Sequence, residues 1–355
     1  MYATRKRALL GCLLGTASLL VSLGPVHTGS AHRGRLSAIG ADPFQPGRVY
    51  RGDFPDPTVL KIGQIYYAYS TTIASLNLPV MTSRDLVHWR ARGEGLMNVA
   101  AWSAYRRVQA RRVATTWAPT VSRFGRTYVH AYATPVRGNR RKFCISTSTS
   151  TSPMRGFVDR RRAPLICPRS RGAIDPAFFI GVSGGRYLVW KRDQEPGLPA
   201  QLVISRLSPN GQRVLGTPTH LLTTQDSWEG ILIENPAMIR YHKHYYLFYS
   251  GGSYADDSYA TGYARCSSPT GPCTRVLDQP LLATGGRVSG PGGATPFADQ
   301  AGRLRLAYAA WDFENTGYPK SSACQSRPQG CPQRKLHIAT LKVRDDGNLV
   351  VTARG

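Results

Sequence analysis

The sequence predicts an all-β, single-domain protein with the architecture of a five-bladed β-propeller, and two features of its 355 residues carry this prediction. The first is a proline-centred motif that recurs at intervals of 62, 57, 60 and 60 residues, at Pro57, Pro119, Pro176, Pro236 and Pro296. The second is an aromatic segment that follows each proline after about ten residues. Five units of about 60 residues, each made of two hairpins, describe five four-stranded sheets arranged around an axis.

Each unit begins with a short apolar strand after the proline and reaches a second strand through a turn that contains Gly or Lys. The second strands are predicted to begin near Tyr67, Tyr128, Tyr187, Tyr246 and Leu306. They are rich in aromatic and β-branched residues, which suit a packed, pleated surface. No long helical periodicity competes with them. A large β-sandwich is the alternative, but it gives no reason for a regularly spaced proline with an aromatic strand at a fixed distance.

The chain is predicted to contain three segments: a secretory signal peptide over residues 1–31, an extended leader over residues 32–49 and the propeller over residues 50–355. The first segment has a basic start, an apolar run from Ala8 to Leu23 and small residues at its end, as export signals do. We therefore expect a secreted, extracellular protein. The apolar run is shorter than the roughly 20 residues that a membrane span needs, so the sequence argues against an integral membrane protein.

Six of the seven cysteines lie beyond the signal segment, and an exported protein is predicted to pair them in disulfides. Proximity in sequence favours the pairs Cys144 with Cys167, Cys266 with Cys273 and Cys324 with Cys331, although other connectivities stay open. Zinc is the rival use of cysteine. The Cys and His residues do not have the spacing of zinc fingers, so we favour disulfides.

The composition is strongly basic, with 46 Lys and Arg against 20 Asp and Glu and a formal charge of +26. Such a balance first suggests nucleic acid or another anionic partner. The arginine runs at residues 106–112, 137–142 and 160–162 fall in predicted loops, and no nucleic-acid-binding motif accompanies them. We therefore predict no nucleic-acid partner, and weak binding to an anionic cell-wall polymer as a secondary property.

Acidic residues stand one or two positions before the repeat proline in the first, third and fourth units: Asp56 and Asp175 one before it, and Glu234 two before it. Because the inner strand of each propeller sheet runs along the central axis, these three carboxylates are predicted to converge on one cavity. Like charges in one cavity raise each other's pKa, and a fold gains nothing from that. Glycoside hydrolysis needs such a set, since one carboxyl group donates a proton and another activates water or attacks the anomeric carbon.

Several short motifs between residues 51 and 311 resemble glycoside hydrolase family 43. They are Phe-Pro-Asp-Pro at 54–57, Trp-Ala-Pro at 117–119, Ile-Asp-Pro at 174–176, Trp-Glu-Gly at 228–230, Glu-Asn-Pro at 234–236 and Tyr-Tyr-Leu-Phe-Tyr-Ser-Gly-Gly at 245–252. The resemblance implies a propeller that hydrolyses arabinosyl or xylosyl bonds with inversion. It makes Asp56 similar to the general base, Asp175 to the pKa modulator and Glu234 to the general acid. Inversion leaves room for a water and implies carboxyl groups about 6.5 to 9.5 Å apart.

Three further residues are candidates for roles near these acids. Trp117 is predicted to form an apolar wall for the sugar ring. Asp53 lies outside the repeat register and is interpreted as a loop cap. Glu229 lies five residues before Glu234, so in a regular strand the two side chains would face opposite sides. Only one of them can line the cavity, and we favour Glu234 because it lies nearer the repeat proline, two residues before it.

The sequence predicts no metal site and no cofactor. Many members of the resembling family carry a fifth-blade histidine near an axial cation or ordered water, and this chain has Gly293 and Ala309 in the corresponding places. His242 and His244 flank a predicted hairpin turn, but a metal site there would need further ligands. The missing histidine weakens the case for a metal more than the case for an enzyme, because all three acids are present.

Together with the resemblance, the sequence predicts an inverting glycoside hydrolase that acts on polysaccharides or oligosaccharides such as arabinan or arabinoxylan. It is expected to release α-L-arabinofuranose and to work as a monomer. β-Xylosidase or endo-arabinanase activity on the same fold is the nearest alternative. The fructan hydrolases use a retaining Asp in an Asn-Asp-Pro-Asn context, which residues 54–58 lack. A basic glycan-binding propeller without turnover is the non-enzyme alternative, supported by the charge and the missing histidines.

Overall fold

The computed structural model describes residues 44–73, 75–318 and 331–355. The predicted signal peptide and residues 32–43 of the predicted leader lie outside the described residues. Within those ranges the chain forms 21 β-strands and one 3-10 helix at Ser227–Glu229, and it contains no helix with the length and apolar character of a membrane span. The regular structure described is therefore almost entirely β, as predicted.

The strands follow one another in five groups, which are the blades. Blade one contains β1 (Thr58–Ile62), β2 (Ile65–Tyr69), β3 (Pro79–Ser83) and β4 (Arg90–Glu94). A ribbon of β5 (Arg106–Val108) and β6 (Arg111–Val113) precedes blade two, which contains β7 (Trp117–Phe124), β8 (Thr127–Val136) and β9 (Asn139–Ser150). Blade three contains β10 (Ala173–Ile180), β11 (Arg186–Arg192), β12 (Gln201–Leu207) and β13 (Val214–Thr223). Blade four contains β14 (Ile233–Tyr241), β15 (His244–Gly251), β16 (Ala260–Cys266) and β17 (Cys273–Arg275). Blade five contains β18 (Val288–Ala298), β19 (Leu304–Asp312), β20 (Lys335–Val343) and β21 (Leu349–Arg354).

Each blade is an antiparallel meander in which neighbours in the sheet are also neighbours in sequence. The inner strands of the blades are β1, β7, β10, β14 and β18. Each of them contacts the inner strand of the next blade, and β18 contacts β1, so the five strands form a closed ring. The prediction of a five-bladed β-propeller is thereby confirmed.

The second strands, β2, β8, β11, β15 and β19, begin within two residues of their predicted positions. Side chains alternate between the two faces of a strand, so an aromatic-rich second strand fills the space on both sides of its blade. Tyr246 and Phe248 of β15, for example, belong to one buried cluster with Leu306 and Tyr308 of β19, which joins blade four to blade five. The recurring aromatic residues that predict the fold are therefore the residues that pack neighbouring blades together.

Blade two departs from the predicted four strands. Its sheet has three strands, and the backbone beyond β9 forms two isolated bridges with it, Val158 with Thr149 and Ile166 with Ile145, instead of a fourth strand. Prolines at positions 153, 164 and 168 interrupt this segment. Proline has no N–H to donate to a ladder, so a continuous fourth strand cannot form there.

Two of the predicted disulfides are confirmed. Cys144 of β9 is bonded to Cys167, which ties the irregular edge of blade two to its third strand. Cys266 of β16 is bonded to Cys273 of β17 and closes a turn in blade four. The third predicted pair includes Cys324, which lies outside the described residues.

Candidate active site

A cavity lies on the propeller axis, where the five inner strands begin. All five blades contribute to it: Asp56, Thr58, Ala118, Pro119, Asp175, Pro176, Ala177, Asn235, Pro236, Gly293 and Thr295. Two of the three predicted acids, Asp56 and Asp175, thus line one cavity although 119 residues separate them. The third, Glu234, immediately precedes the lining residue Asn235.

The same backbone feature recurs at this point in every blade. Each blade places a residue with positive φ on the cavity at the start of its inner strand: Asp56 (50°), Ala118 (42°), Asp175 (53°), Asn235 (49°) and Gly293 (62°). In blades two to five the pairing of the first and second strands shifts register there, as it does at a β-bulge. Non-glycine residues seldom adopt positive φ, so its repetition marks a shared device that directs these positions to the axis.

The bulge corrects the sequence prediction for the fifth unit. The hydroxyl of Thr58 donates a hydrogen bond to the carbonyl of Pro119 at 2.6 Å, and the hydroxyl of Thr295 donates one to the carbonyl of Pro57 at 2.7 Å. Thr295 therefore corresponds to Thr58, and Ala294 takes the place of the repeat proline. The prediction that Pro296 is the fifth repeat proline is wrong by two residues.

The bulge also explains why Glu234 stands two residues before its proline. Glu234 pairs with Ser250 in the last regular position before the register shift, and Asn235 is the residue with positive φ. Ile174 and Trp117 hold the corresponding position in blades three and two. Glu234 thus reaches the site from one strand position earlier than the two aspartates do.

Neighbouring blades fix the carboxylate of Asp56. The hydroxyl of Thr71 donates to Oδ2 at 2.7 Å, and the same hydroxyl accepts the N–H of Ala118 in blade two. A guanidinium nitrogen of Arg334 lies 3.5 Å from Oδ1. On the other side, a Cβ atom at Gly293 would lie 2.8 Å from Oδ1, so only glycine leaves room for this carboxylate.

Asp175 is buried, and the site shifts the pKa of its carboxyl. The N–H of Asn235 donates to its Oδ2 at 2.9 Å. Burial, and after it the negative charge of Glu234, raise the pKa of Asp175 well above its ordinary value. The site therefore keeps a proton on this carboxyl to a pH at which an ordinary aspartic acid has lost it.

Glu234 is held by two donors that the sequence reasoning missed. The ammonium of Lys191, whose side chain is 2% exposed, lies 3.1 Å from Oε2, and the hydroxyl of Tyr259 donates to Oε1 at 2.8 Å. Lys191 also lies 3.1 Å from Asp193. Burial alone would lower the pKa of Lys191, but the charges of Glu234 and Asp175 raise it above its ordinary range. The lysine is therefore a fixed positive charge between two carboxylates.

Arg334 is the third missed residue. It is buried, and besides contacting Asp56 its guanidinium carbon lies 5.1 Å from the ring centre of Tyr259. The backbone N–H of Arg334 donates to Oδ1 of Asp53 at 2.9 Å. Asp53 does not line the cavity, and its carboxylate instead holds the backbone of Arg334. Burial raises the pKa of Asp53 to about 6.

Only one of the missed residues left a signal in the sequence. Lys191 follows the apolar run Tyr-Leu-Val-Trp of a second strand, and an ionisable side chain at a buried strand position indicates a paired or functional group. Tyr259 and Arg334 lie outside the repeat motif, in the connections before β16 and β20. Nothing in the residues around them distinguishes them from other loop positions.

The competing acid, Glu229, has a structural environment. It is fully buried at the end of the 3-10 helix, and its carboxylate accepts hydrogen bonds from Arg275 at 2.7 Å and from Tyr249 at 2.8 Å. A second oxygen accepts the N–H of Gln225 at 2.7 Å. The Trp-Glu-Gly motif therefore anchors the loop that leads into β14.

We expect Glu229→Gln to lower stability and to leave kcat/KM nearly unchanged. Breaking a buried ion pair costs about 3 to 5 kcal/mol, which corresponds to a fall in Tm of roughly 10 °C in a domain of this size. Thermal denaturation and kinetics on the same preparation check this. The exposed variant Asp345→Asn is the control, and an unchanged Tm with a large loss of turnover would contradict the structural role.

Trp117 lies at the mouth of the cavity, one residue before the lining residue Ala118. Its side chain is 36% exposed, and its ring stacks on Phe143 of β9 with centres 3.7 Å apart and planes 5° from parallel. Flat aromatic surfaces of this kind suit the apolar face of a sugar ring. As for metals, no group of three or more His, Cys, Asp or Glu side chains in the described part of the chain is placed to hold an ion.

Comparisons with known proteins agree with this fold. Beta-D-galactofuranosidase xynD of Aspergillus niger is 24% identical over 72% of this chain and 73% of its own length. Xylosidase/arabinosidase 43B of Humicola insolens is 23% identical over 63% of this chain and 40% of its own length. The crystal structure of a thermostable family-43 glycoside hydrolase superposes with a TM-score of 0.70 at 25% identity, covering 87% of this chain and 94% of that one. Residues 48–349 match the family model of Glycosyl hydrolases family 43. The chain therefore belongs to glycoside hydrolase family 43, and it is a glycosidase.

Proposed function

We propose that the protein is a secreted, inverting glycosidase that removes α-L-arabinofuranosyl groups from arabinan or arabinoxylan. The observation that carries the proposal is the meeting of Asp56, Asp175 and Glu234, from three blades, around one axis. Hydrolysis of a glycosidic bond needs an acid on one side and a base or nucleophile on the other. Secretion is inferred from the amino-terminal sequence alone.

In the proposed reaction Asp56 takes a proton from the attacking water. Thr71 and Arg334 determine the direction of its carboxylate, and Gly293 leaves the space beside it open. A base that is already oriented needs no rearrangement as the reaction proceeds. Water between Asp56 and the sugar gives inversion at the anomeric carbon.

Glu234 is the proposed general acid, and Asp175 is the neighbouring carboxyl that helps to retain a proton at this pair. The pKa of Asp175 is raised by burial and by Glu234, so this pair of carboxyls carries a proton. Lys191 contacts both Glu234 and Asp193 at 3.1 Å. Lys191 holds the orientation of the Glu234 carboxyl, and Glu234 gives the proton of the pair to the leaving oxygen.

The proposed sugar is the one that fits the names of both curated relatives. An arabinofuranosyl group shares a five-membered ring with the substrate named for the Aspergillus enzyme. Arabinose is also one of the two sugars in the name of the Humicola enzyme. β-Xylosidase activity is the second candidate, supported by the other sugar in that name.

The test uses the purified protein and the 4-nitrophenyl glycosides of α-L-arabinofuranose, β-D-xylopyranose and β-D-galactofuranose. We expect the highest kcat/KM on the arabinofuranoside. Proton NMR during the first minutes should show β-L-arabinofuranose before mutarotation. The α-anomer as first product would overturn inversion, and a clear preference for the xyloside would replace the arabinosyl assignment with the xylosyl one.

A further inference from the structure

The positive charge of the chain is concentrated around blade two. Between Gly95 and Ile174 there are 16 Lys and Arg residues and a single acidic residue, Asp159. Asp159 is 6% exposed and accepts hydrogen bonds from Tyr132 and Ser146. It therefore presents almost no negative charge at the surface to offset these cations.

Three segments of this region meet on the face of the propeller where the cavity opens. Trp117, at the cavity mouth, pairs with Ala133 near the end of β8, so the turn from β8 to β9 lies at this same end of the blade. Arg137 in that turn donates its N–H to the carbonyl of Trp102 at 3.1 Å. Lys142 donates to the carbonyls of Pro168 and Arg169 at 2.5 and 2.7 Å. The turn thus joins the segment before β7 to the segment before β10.

We define the blade-two basic surface as six exposed arginines of these segments: Arg106, Arg107, Arg137, Arg140, Arg141 and Arg169. None of the six forms an ion pair with an acidic residue in the described ranges. Like charges brought together without counter-charges destabilise the folded chain slightly and attract anions. A cluster that the fold itself does not neutralise indicates a partner that does.

The end of β9 is shaped to expose these cations. Val136 pairs with Asn139, but the preceding residue of β8, Pro135, pairs with Phe143. Residues 140–142, Arg-Arg-Lys, are therefore left out of the ladder as an irregular bulge. Bulges next to active sites redirect side chains, and this one ends at the ring that stacks on Trp117. An aromatic surface beside the cavity thus continues directly into exposed guanidinium groups.

We propose that the blade-two basic surface binds uronic-acid carboxylates of the polysaccharide that carries the scissile sugar, so that the natural substrate is an acidic glycan. This rests on the proposed function, and it names the class of polymer on which that function acts. The surface adjoins the cavity, so its ligand must be continuous with the glycan chain that the enzyme cuts. The planar fork of arginine matches a carboxylate with two parallel hydrogen bonds.

Binding at this surface is remote from the reacting bond and acts on polymers alone. Contacts that are equally strong in the ground state and the transition state lower KM and leave kcat unchanged. The effect should weaken with salt, because the Debye length falls from about 10 Å at 0.1 M to about 3 Å at 1 M. A neutral monosaccharide glycoside does not reach the surface.

The experiment compares one uronate-bearing arabinoxylan before and after chemical reduction of its carboxyl groups. The readout is the ratio of kcat/KM on the native polymer to kcat/KM on the reduced polymer, measured for each protein. We expect a ratio of about three to ten for wild type, as for a few exposed charge contacts, carried by KM and abolished by 1 M NaCl. In the double variant Arg140→Ala/Arg141→Ala the ratio should fall towards one.

The matched control is Arg126→Ala/Arg155→Ala, which removes the same charge from exposed positions of the same blade near its opposite end. This control should keep the wild-type ratio. A ratio of one for wild type, or an equal fall in both double variants, would overturn the proposal, and so would stronger competition by duplex DNA than by polygalacturonate. Activity of wild type on the neutral chromogenic arabinofuranoside distinguishes a failure of this proposal from a failure of the proposed function. If wild type does not hydrolyse that substrate, the proposed function itself is wrong.

Discussion

Replacing Glu234 with glutamine is expected to lower kcat/KM about a thousandfold on arabinofuranosides whose leaving group needs protonation, within the range that general acid catalysis contributes. The amide keeps the size of the side chain and can still bond to Tyr259, so the fold around it should persist. What it loses is the proton for the leaving oxygen. The expected result therefore isolates one chemical step.

Leaving-group dependence is the measurement that identifies this step. A dinitrophenyl arabinofuranoside releases an anion that needs no proton, so Glu234→Gln should hydrolyse it at a rate close to that of wild type. The fall of kcat/KM at high pH, where wild type loses the proton that the raised pKa of Asp175 retains in the pair of carboxyls, should disappear in the variant. Asp345→Asn, an exposed carboxylate far from the motif positions, serves as the control. Equal losses on both substrates would contradict the acid role of Glu234.

The parts of the site that the sequence predicts are those that obey the repeat. Asp56, Asp175 and Trp117 occupy the start of an inner strand, and a repeated strand position becomes a shared location once the blades form a ring. The β-bulge is a backbone property without a residue signature of its own. It shifts Glu234 by one strand position and displaces the fifth unit by two residues, and neither shift can be read from spacing alone.

The supporting residues escape sequence reasoning for a different reason. Arg334 reaches Asp56 across 278 residues, and Lys191 reaches Glu234 across 43. Tyr259 reaches the same acid from a connection between strands. These contacts depend on how adjacent blades pack, and the repeat says only that the blades are adjacent. The charges that accompany the acids are therefore a finding of the structure, whereas the acids themselves could be predicted.

Gly293→Ala is expected to lower kcat/KM about a hundredfold, because a displacement of about 1 Å at a catalytic group has an effect of that size. The added Cβ would lie 2.8 Å from Oδ1 and 3.1 Å from Cα of Asp56, so the proposed base must move. Backbone strain alone does not account for this. Ala118 already holds the equivalent position in blade two with a φ of 42°.

Gly125→Ala provides the matched control for this variant. Gly125 has a φ of 63°, against 62° for Gly293, but a Cβ there meets no atom within 4 Å. The strain of an alanine at positive φ should cost each variant about 1 kcal/mol of stability, and the overlap with Asp56 adds to this cost in Gly293→Ala alone. Only Gly293→Ala should lose activity, and the loss should appear in kcat on small and polymeric substrates alike. If both variants kept full kcat, the carboxylate of Asp56 would not need its observed position, and its assignment as the base would fall.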